Sequence, residues 1–306
     1  MNNLSHFSFG NHFGYDELEA MIDFLQNKFS FLETKTIGHS IFNRNIYRLT
    51  LGKGDTSVVY IAAHHGMEWI TAAILMRFAE ELCEIYRTKS KIFDISSSIL
   101  LETRKIHIIP MLNPDGVEYQ IHGIPKNHFL RERILKMNGG TDDLSHWQAN
   151  ARGVDLNHNY NSGFAEYKII ERSMNLENGA PTKYSGEYPE SEPETKSLCN
   201  FVRFIEPKLA LTLHTQGEEI YYTSGERGAS DSLILAQTIS RLTGYRISLP
   251  TGSARYGGFT DWFIEEFDKP SFTLECGKGE NPLPFSDFES IYYKLRRALF
   301  ITPILV

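Results

Sequence analysis

His65-Gly66-Met67-Glu68 sets an imidazole and a carboxylate three residues apart. The pair follows an apolar run, Ser57-Val58-Val59-Tyr60-Ile61-Ala62-Ala63, that reads as a buried strand, and it precedes a segment from Trp69 that reads as a helix. A tight strand-to-helix turn brings side chains three apart onto one side, so both groups can face one metal ion. Two ligands alone do not make a metal site, and His65 could equally be a buried, hydrogen-bonded histidine. Other strand ends supply more. His214 closes the apolar run Leu209-Ala210-Leu211-Thr212-Leu213, and Glu275 closes Ser271-Phe272-Thr273-Leu274. Catalytic zinc uses three nitrogen or oxygen ligands and keeps a position for water, whose pKa it lowers. A carboxylate that is not a ligand must then take the proton. Glu275 is the candidate for that base. His64 should point to the opposite face as a structural residue, and His107, in mid-strand, reads as core or as support for a ligand. Asn113-Pro114-Asp115-Gly116 reads as a turn, and Cys276 as a core thiol.

The elements that would carry these groups alternate along the chain. Leu18, Met21, Ile22, Leu25 and Phe29 form one stripe of a helix over 15–29, and residues 46–51 alternate as a half-buried strand. Ile70, Ala73, Ile74, Phe78 and Leu82 make the helix after Glu68 amphipathic. Residues 106–109 read as a strand, a helix starts near Glu192, and further helices cover 231–243 and 286–300. Between them, 112–190 is rich in Gly, Asn, Asp and Ser with poor periodicity, and reads as one long irregular stretch of functional kind. The pattern predicts one α/β domain over 1–306, with a central mixed, mostly parallel sheet flanked by helices. In such sheets the chemistry sits at the carboxyl ends of the strands.

Composition narrows the function. The chain has 306 residues, 41% hydrophobic and 23% charged, with a net charge of −7. That is ordinary for a globular enzyme and argues against a nucleic-acid partner, which needs a basic face. The three cysteines, Cys83, Cys199 and Cys276, are far apart and form no CxxC pair, so they read as free thiols. Met1-Asn2-Asn3-Leu4-Ser5-His6 shows no basic-then-apolar leader, and no window reaches the roughly 18 apolar residues of a membrane span. A cytoplasmic protein without a membrane partner is expected.

These pieces together resemble the M14 zinc carboxypeptidases. His65-x-x-Glu68 with Trp69, Asn113-Pro114-Asp115-Gly116, Gly153-Val154-Asp155-Leu156-Asn157, His214 and Glu275 occur in that family's order. Tyr184-Ser185-Gly186, Ser191-Glu192-Pro193-Glu194 and Gly257-Gly258-Phe259-Thr260-Asp261-Trp262 also match, over roughly residues 15 to 300. The resemblance implies one Zn2+ per chain on His65, Glu68 and His214, with Glu275 activating water and passing its proton to the leaving amine. It also implies an arginine that stabilises the oxyanion. The best match is Arg152, whose alternative is a solvated or salt-bridged surface arginine.

Departures from the pattern point to the substrate. The family carries Asn-Arg after its Val-Asp-x element, and that arginine grips a terminal carboxylate; here the pair is Asn157-His158. A histidine cannot make an arginine's two-pronged contact. Met67 stands where many members carry arginine, and Tyr256 is the nearest match to a mobile active-site tyrosine. Asn157-His158-Asn159-Tyr160, Trp147-Gln148-Ala149-Asn150 and Tyr188-Pro189-Glu190-Ser191 look most like the bacterial γ-D-glutamyl-diamino acid peptidase branch. That branch cuts between D-glutamate and diaminopimelate or lysine in cell-wall stem peptides, so the partner implied is a small muropeptide. Members often carry a wall-binding domain, and none is read here. Asn157, His158, Tyr256 and Thr260 are the implied substrate contacts. Arg131, Arg133, Lys136, Arg152 and Arg255 are candidate partners for carboxylates, and Thr260 with Glu218 or Glu219 for an amine. The competing readings are an ordinary carboxypeptidase or amidohydrolase on this fold, and a silent binding module. Retention of Glu275 beside three ligands argues against the silent module, and a structural zinc would favour cysteine.

Overall fold

Five successive buried residues, Val58 to Ala62, need cover on both sides, so the strand that carries them must lie inside a sheet. The computed structural model, which describes residues 10–223 and 230–306, places it there. The amino-terminal residues read for a leader lie outside the described residues. We number the strands of the main sheet β1 (Glu33–His39), β2 (Asn45–Leu51), β3 (Thr56–Ala62), β4 (Arg104–Ile109), β5 (Leu209–His214), β6 (Glu219–Tyr221), β7 (Arg246–Ile247) and β8 (Ser271–Glu275). Their order across the sheet is β1-β2-β4-β3-β5-β8-β6-β7. The centre, β4-β3-β5-β8, is parallel. The flank β1-β2-β4 and the pair β8-β6 are antiparallel. This is the mixed, mostly parallel sheet that the alternation of elements predicts.

Period-two alternation divides β3 between two cores. Val58, Tyr60 and Ala62 join a large cluster with Leu18, Leu25, Ile74, Phe78, Leu295 and Leu299, under the helices Tyr15–Lys28, Ile70–Arg87 and Phe288–Ile301. Val59 and Ile61 join a second cluster with Leu198, Val202, Phe259 and Phe263, under Pro193–Ile205 and Phe259–Phe267. Cys83, Cys199 and Cys276 are free and buried, as expected.

Residues 112–190 hold more regular structure than the sequence suggests. Helices span Pro114–His122, Arg131–Met137 and Phe164–Ser173. They are short, and some of their apolar residues feed a local cluster around Trp147, with Tyr119, Ile134 and Leu144, rather than a long stripe. Asn113-Pro114-Asp115-Gly116 is not a free turn. Asn113 caps the first of these helices, its Oδ1 accepting from Gly116 N at 3.0 Å, with Pro114 at the first helical position.

Candidate metal centre

The site stands where the three central strands end side by side. In the register of β5 and β8, His214 pairs with Glu275; in that of β3 and β5, Ala62 pairs with Leu213. After Ala62 the chain leaves the sheet through Ala63, at φ +49°, and enters a single 3-10 turn, Gly66–Glu68. Hydrogen bonds hold that turn on both sides. Asn113 Nδ2 donates to His64 O at 3.0 Å and to Ala149 O at 3.2 Å, and Gly66 N donates to Gln148 O at 2.9 Å. Gly66 lies so close to its neighbours that a Cβ there would stand 2.4 Å from Gly116 O.

His65 Nδ1 lies 2.9 Å from Glu68 Oε1, and His214 Nδ1 lies 3.0 Å from Glu68 Oε2. The three ligand atoms fall within 4.8 Å of one another. Asp155 Oδ1 takes the other side of the His65 ring, 3.1 Å from Nε2. With the ring proton on Nε2, the Nδ1 lone pair faces a carboxylate oxygen, a contact that a second ring proton or a metal cation between the two would make favourable. Two nitrogens, one carboxylate and a supporting carboxylate behind a histidine are a donor set that fits catalytic zinc.

The charges are consistent with that fit. Burial pushes Glu68 up, but His65 and His214 outweigh it and hold the carboxyl down at about 2. Burial would lower His65, yet Glu68 and Asp155 together raise it well above its ordinary value. Two carboxylates around one imidazole also favour a divalent cation. Burial raises Glu275 to about 8, and the negative charge of Glu68 adds to the shift.

His65, His214 and Glu275 line one cleft with Asn157, His158 and Thr260, whereas Glu68 is buried against the two histidines. Asn157 Oδ1 accepts from Phe259 N at 3.1 Å. His158 stacks on Tyr167, with ring centroids 4.0 Å apart, and its Nδ1 meets Tyr256 O at 2.9 Å. Thr260 Oγ1 lies 2.8 Å from Thr273 Oγ1. Two expected residues do not join them. Arg152 turns toward Glu192, Nε to Oε2 at 3.1 Å, and lines a separate depression with Tyr184 and Tyr188. The ring of Tyr256 packs where a Cβ on Gly163 would stand 2.6 Å from it, so Tyr256 serves His158 through its carbonyl instead.

Four of the other candidate charges are engaged elsewhere: Arg131 with Asp142, Arg133 with Asn178 O, Glu218 with Lys278 and Lys294, and Glu219 with Arg246. His64 is buried and meets the Tyr160 hydroxyl at 3.0 Å; His107 meets Thr50 Oγ1 at 3.0 Å inside the sheet. Among the cleft residues to which sequence reasoning gave no role are Asp155, Gln148 and Lys183. The first two stand inside motifs read for other members. Lys183 carried no signal.

Comparison with known proteins agrees with this geometry. The family model described as zinc carboxypeptidase matches residues 18–296. The chain is 34% identical over 281 residues to gamma-D-glutamyl-L-diamino acid endopeptidase 1 of Lysinibacillus sphaericus, covering 91% of this chain and 69% of that one. It is 27% identical over 290 residues to mouse (Mus musculus) carboxypeptidase A2, covering 89% and 64%. The crystal structure of thrombin activatable fibrinolysis inhibitor shares the fold, with a TM-score of 0.73 at 21% identity over 96% of this chain and 73% of that one.

Proposed function

The chain belongs to the zinc carboxypeptidase family, and from that premise we propose that it hydrolyses the amide bond between the γ-carboxyl of D-glutamate and a diamino acid in muropeptides. The observation that carries the hydrolytic part is the pairing of a His65–Glu68–His214 donor set with Glu275, one strand away and outside that set. The substrate part draws on the similarity to the Lysinibacillus endopeptidase and on the cleft wall, where His158 stands and no arginine is found among the described residues. A family carboxypeptidase acting on any free C-terminus needs an arginine there.

In this reading His65, Glu68 and His214 hold one zinc ion. Zinc, when bound, polarises the scissile carbonyl and acidifies water. Glu275 accepts a proton from the attacking water and delivers it to the leaving nitrogen. Glu275 must be ionised to take that proton, and a cation bound beside it would favour the ionised form. Asp155 fixes the His65 ring by holding its Nε2 proton. Arg152 is pointed elsewhere, so the oxyanion falls to the side-chain amide of Gln148: its Oε1 accepts from Thr182 Oγ1, which leaves its N–H groups to the cleft. His158, Asn157 and Thr260 shape the walls on which substrate lies.

The runner-up is an ordinary carboxypeptidase, favoured by the similarity to carboxypeptidase A2. Hydrolysis of soluble muropeptides and of plain blocked dipeptides, measured side by side, separates the two. The proposal expects cleavage of the muropeptides alone, and equal rates would contradict it.

A further inference from the structure

The acidic cleft has one permanent side-chain cation among its described lining residues, Lys183. Its neighbours there include the carboxyl groups of Asp155, Asp261 and Glu275, so Lys183 is the lining side chain suited by charge to a substrate carboxylate. Lys183 makes no salt bridge among the described residues, and its side chain is exposed. Its backbone, in contrast, is fixed. Lys183 N donates to Asp155 Oδ2 at 2.9 Å, and Lys183 O accepts from Tyr167 Oη at 2.8 Å. The residue holds a left-handed conformation at φ +65°, which non-glycine residues adopt rarely.

Asp155 ties this lysine to the metal centre. One of its oxygens meets the ring of His65 at 3.1 Å and the other receives Lys183 N at 2.9 Å. The lysine backbone therefore stands across a single carboxylate from a metal ligand. A flexible four-carbon stem gives its ammonium reach toward a carboxylate carried a few carbons from the reacting carbonyl. Three of the four arginines read as carboxylate partners are spent differently, Arg152 on Glu192, Arg131 on Asp142 and Arg133 on Asn178 O, and the fourth, Arg255, is not among the residues that line the cleft.

We propose that Lys183 receives the free carboxylate on the acyl side of the scissile amide and makes the enzyme select acidic substrates over their amidated forms. The proposal rests on the γ-D-glutamyl reading, in which that carboxylate is the α-carboxylate of D-glutamate. A single exposed ammonium on a fixed backbone gives a preference of about two- to fivefold.

The test compares L-Ala-γ-D-Glu-diaminopimelate with the same peptide carrying an α-carboxamide. The wild-type zinc enzyme should favour the acid through KM. Lys183→Met should lose that preference by losing the acid substrate alone, and Lys183→Arg should keep it. Calorimetry on the metal-free protein with L-Ala-D-glutamate and L-Ala-D-isoglutamine gives a second readout, in which Lys183→Met should weaken only the acid. A preference that survives Lys183→Met in either measurement overturns the proposal. If the wild type cuts neither peptide, the γ-D-glutamyl reading fails, and the binding pair still decides the role of Lys183.

Discussion

His214 and Glu275 are register partners at the carboxyl ends of two parallel strands, β5 and β8. Residues paired in this way project to the same face of a sheet. The backbone ladder thus fixes the spacing between a metal-site histidine and the carboxylate beside it, and no loop has to find the geometry. Replacing Glu275 with Gln keeps the shape and removes the base. We expect zinc content to stay at one per chain while kcat falls by about 10²–10⁴-fold. Metal analysis and turnover on the same preparation check this. Activity near the wild-type level would rule out Glu275 as the base.

Asp155 orients His65 and anchors Lys183. Asp155→Asn keeps the size but weakens the hold on the imidazole. Zinc affinity should fall by about 10–100-fold, as is usual for the partner behind a histidine ligand. Competition with a chelator measures it, and unchanged affinity would contradict the role.

Gln148 and Arg152 offer a contrast. Gln148 lines the cleft, whereas Arg152 pairs with Glu192 outside it. Gln148→Ala should lower kcat by about 10²-fold or more with little change in KM, the signature of a lost oxyanion donor. Arg152→Ala should leave kcat within a few-fold and cost at most about 1 kcal/mol of stability, since its pair is partly exposed. The reverse order in kcat would restore Arg152 to the chemistry.

Glu194 gives a pH signature in stability. It is fully buried; its Oε2 accepts from Asn150 Nδ2 at 3.2 Å, while Glu192 also accepts from that nitrogen. Burial raises its pKa from 4.5 to about 8, and the charges of Glu192 and Asp115 add to the rise. The folded state therefore binds this proton more tightly than the unfolded chain. The stability it provides is complete below the unfolded pKa and is lost as pH climbs through the folded one. Glu194→Gln stays neutral, so its melting temperature should match the wild type near pH 4.5 and exceed it increasingly toward pH 8. A difference independent of pH would show that Glu194 does not titrate in this window.

The core of the site was legible because it sits on periodic structure. His65, His214 and Glu275 follow apolar runs, and such runs mark strands whose ends share one sheet edge. The edge strand Glu33–His39 was not legible: ETKTIGH is half exposed and has no apolar alternation. Asp155, Gln148 and Lys183 were missed for another reason. They lie in 112–190, where position is set by contacts distant in sequence, such as Asp155 with His65, ninety residues apart. No local pattern encodes such a contact. Arg152 misled because an arginine in the right motif faces either a cleft or a neighbour, and Glu192, forty residues on, decides which.

The central claim is tested most directly by mapping the bond cut. Zinc-loaded protein is incubated with L-Ala-γ-D-Glu-meso-diaminopimelate, and the products are identified by mass spectrometry, with metal content measured on the same sample. The account predicts L-Ala-D-Glu and free diaminopimelate from zinc-loaded protein, and none from chelator-stripped protein. Release of L-alanine instead, or identical cleavage without metal, would contradict it.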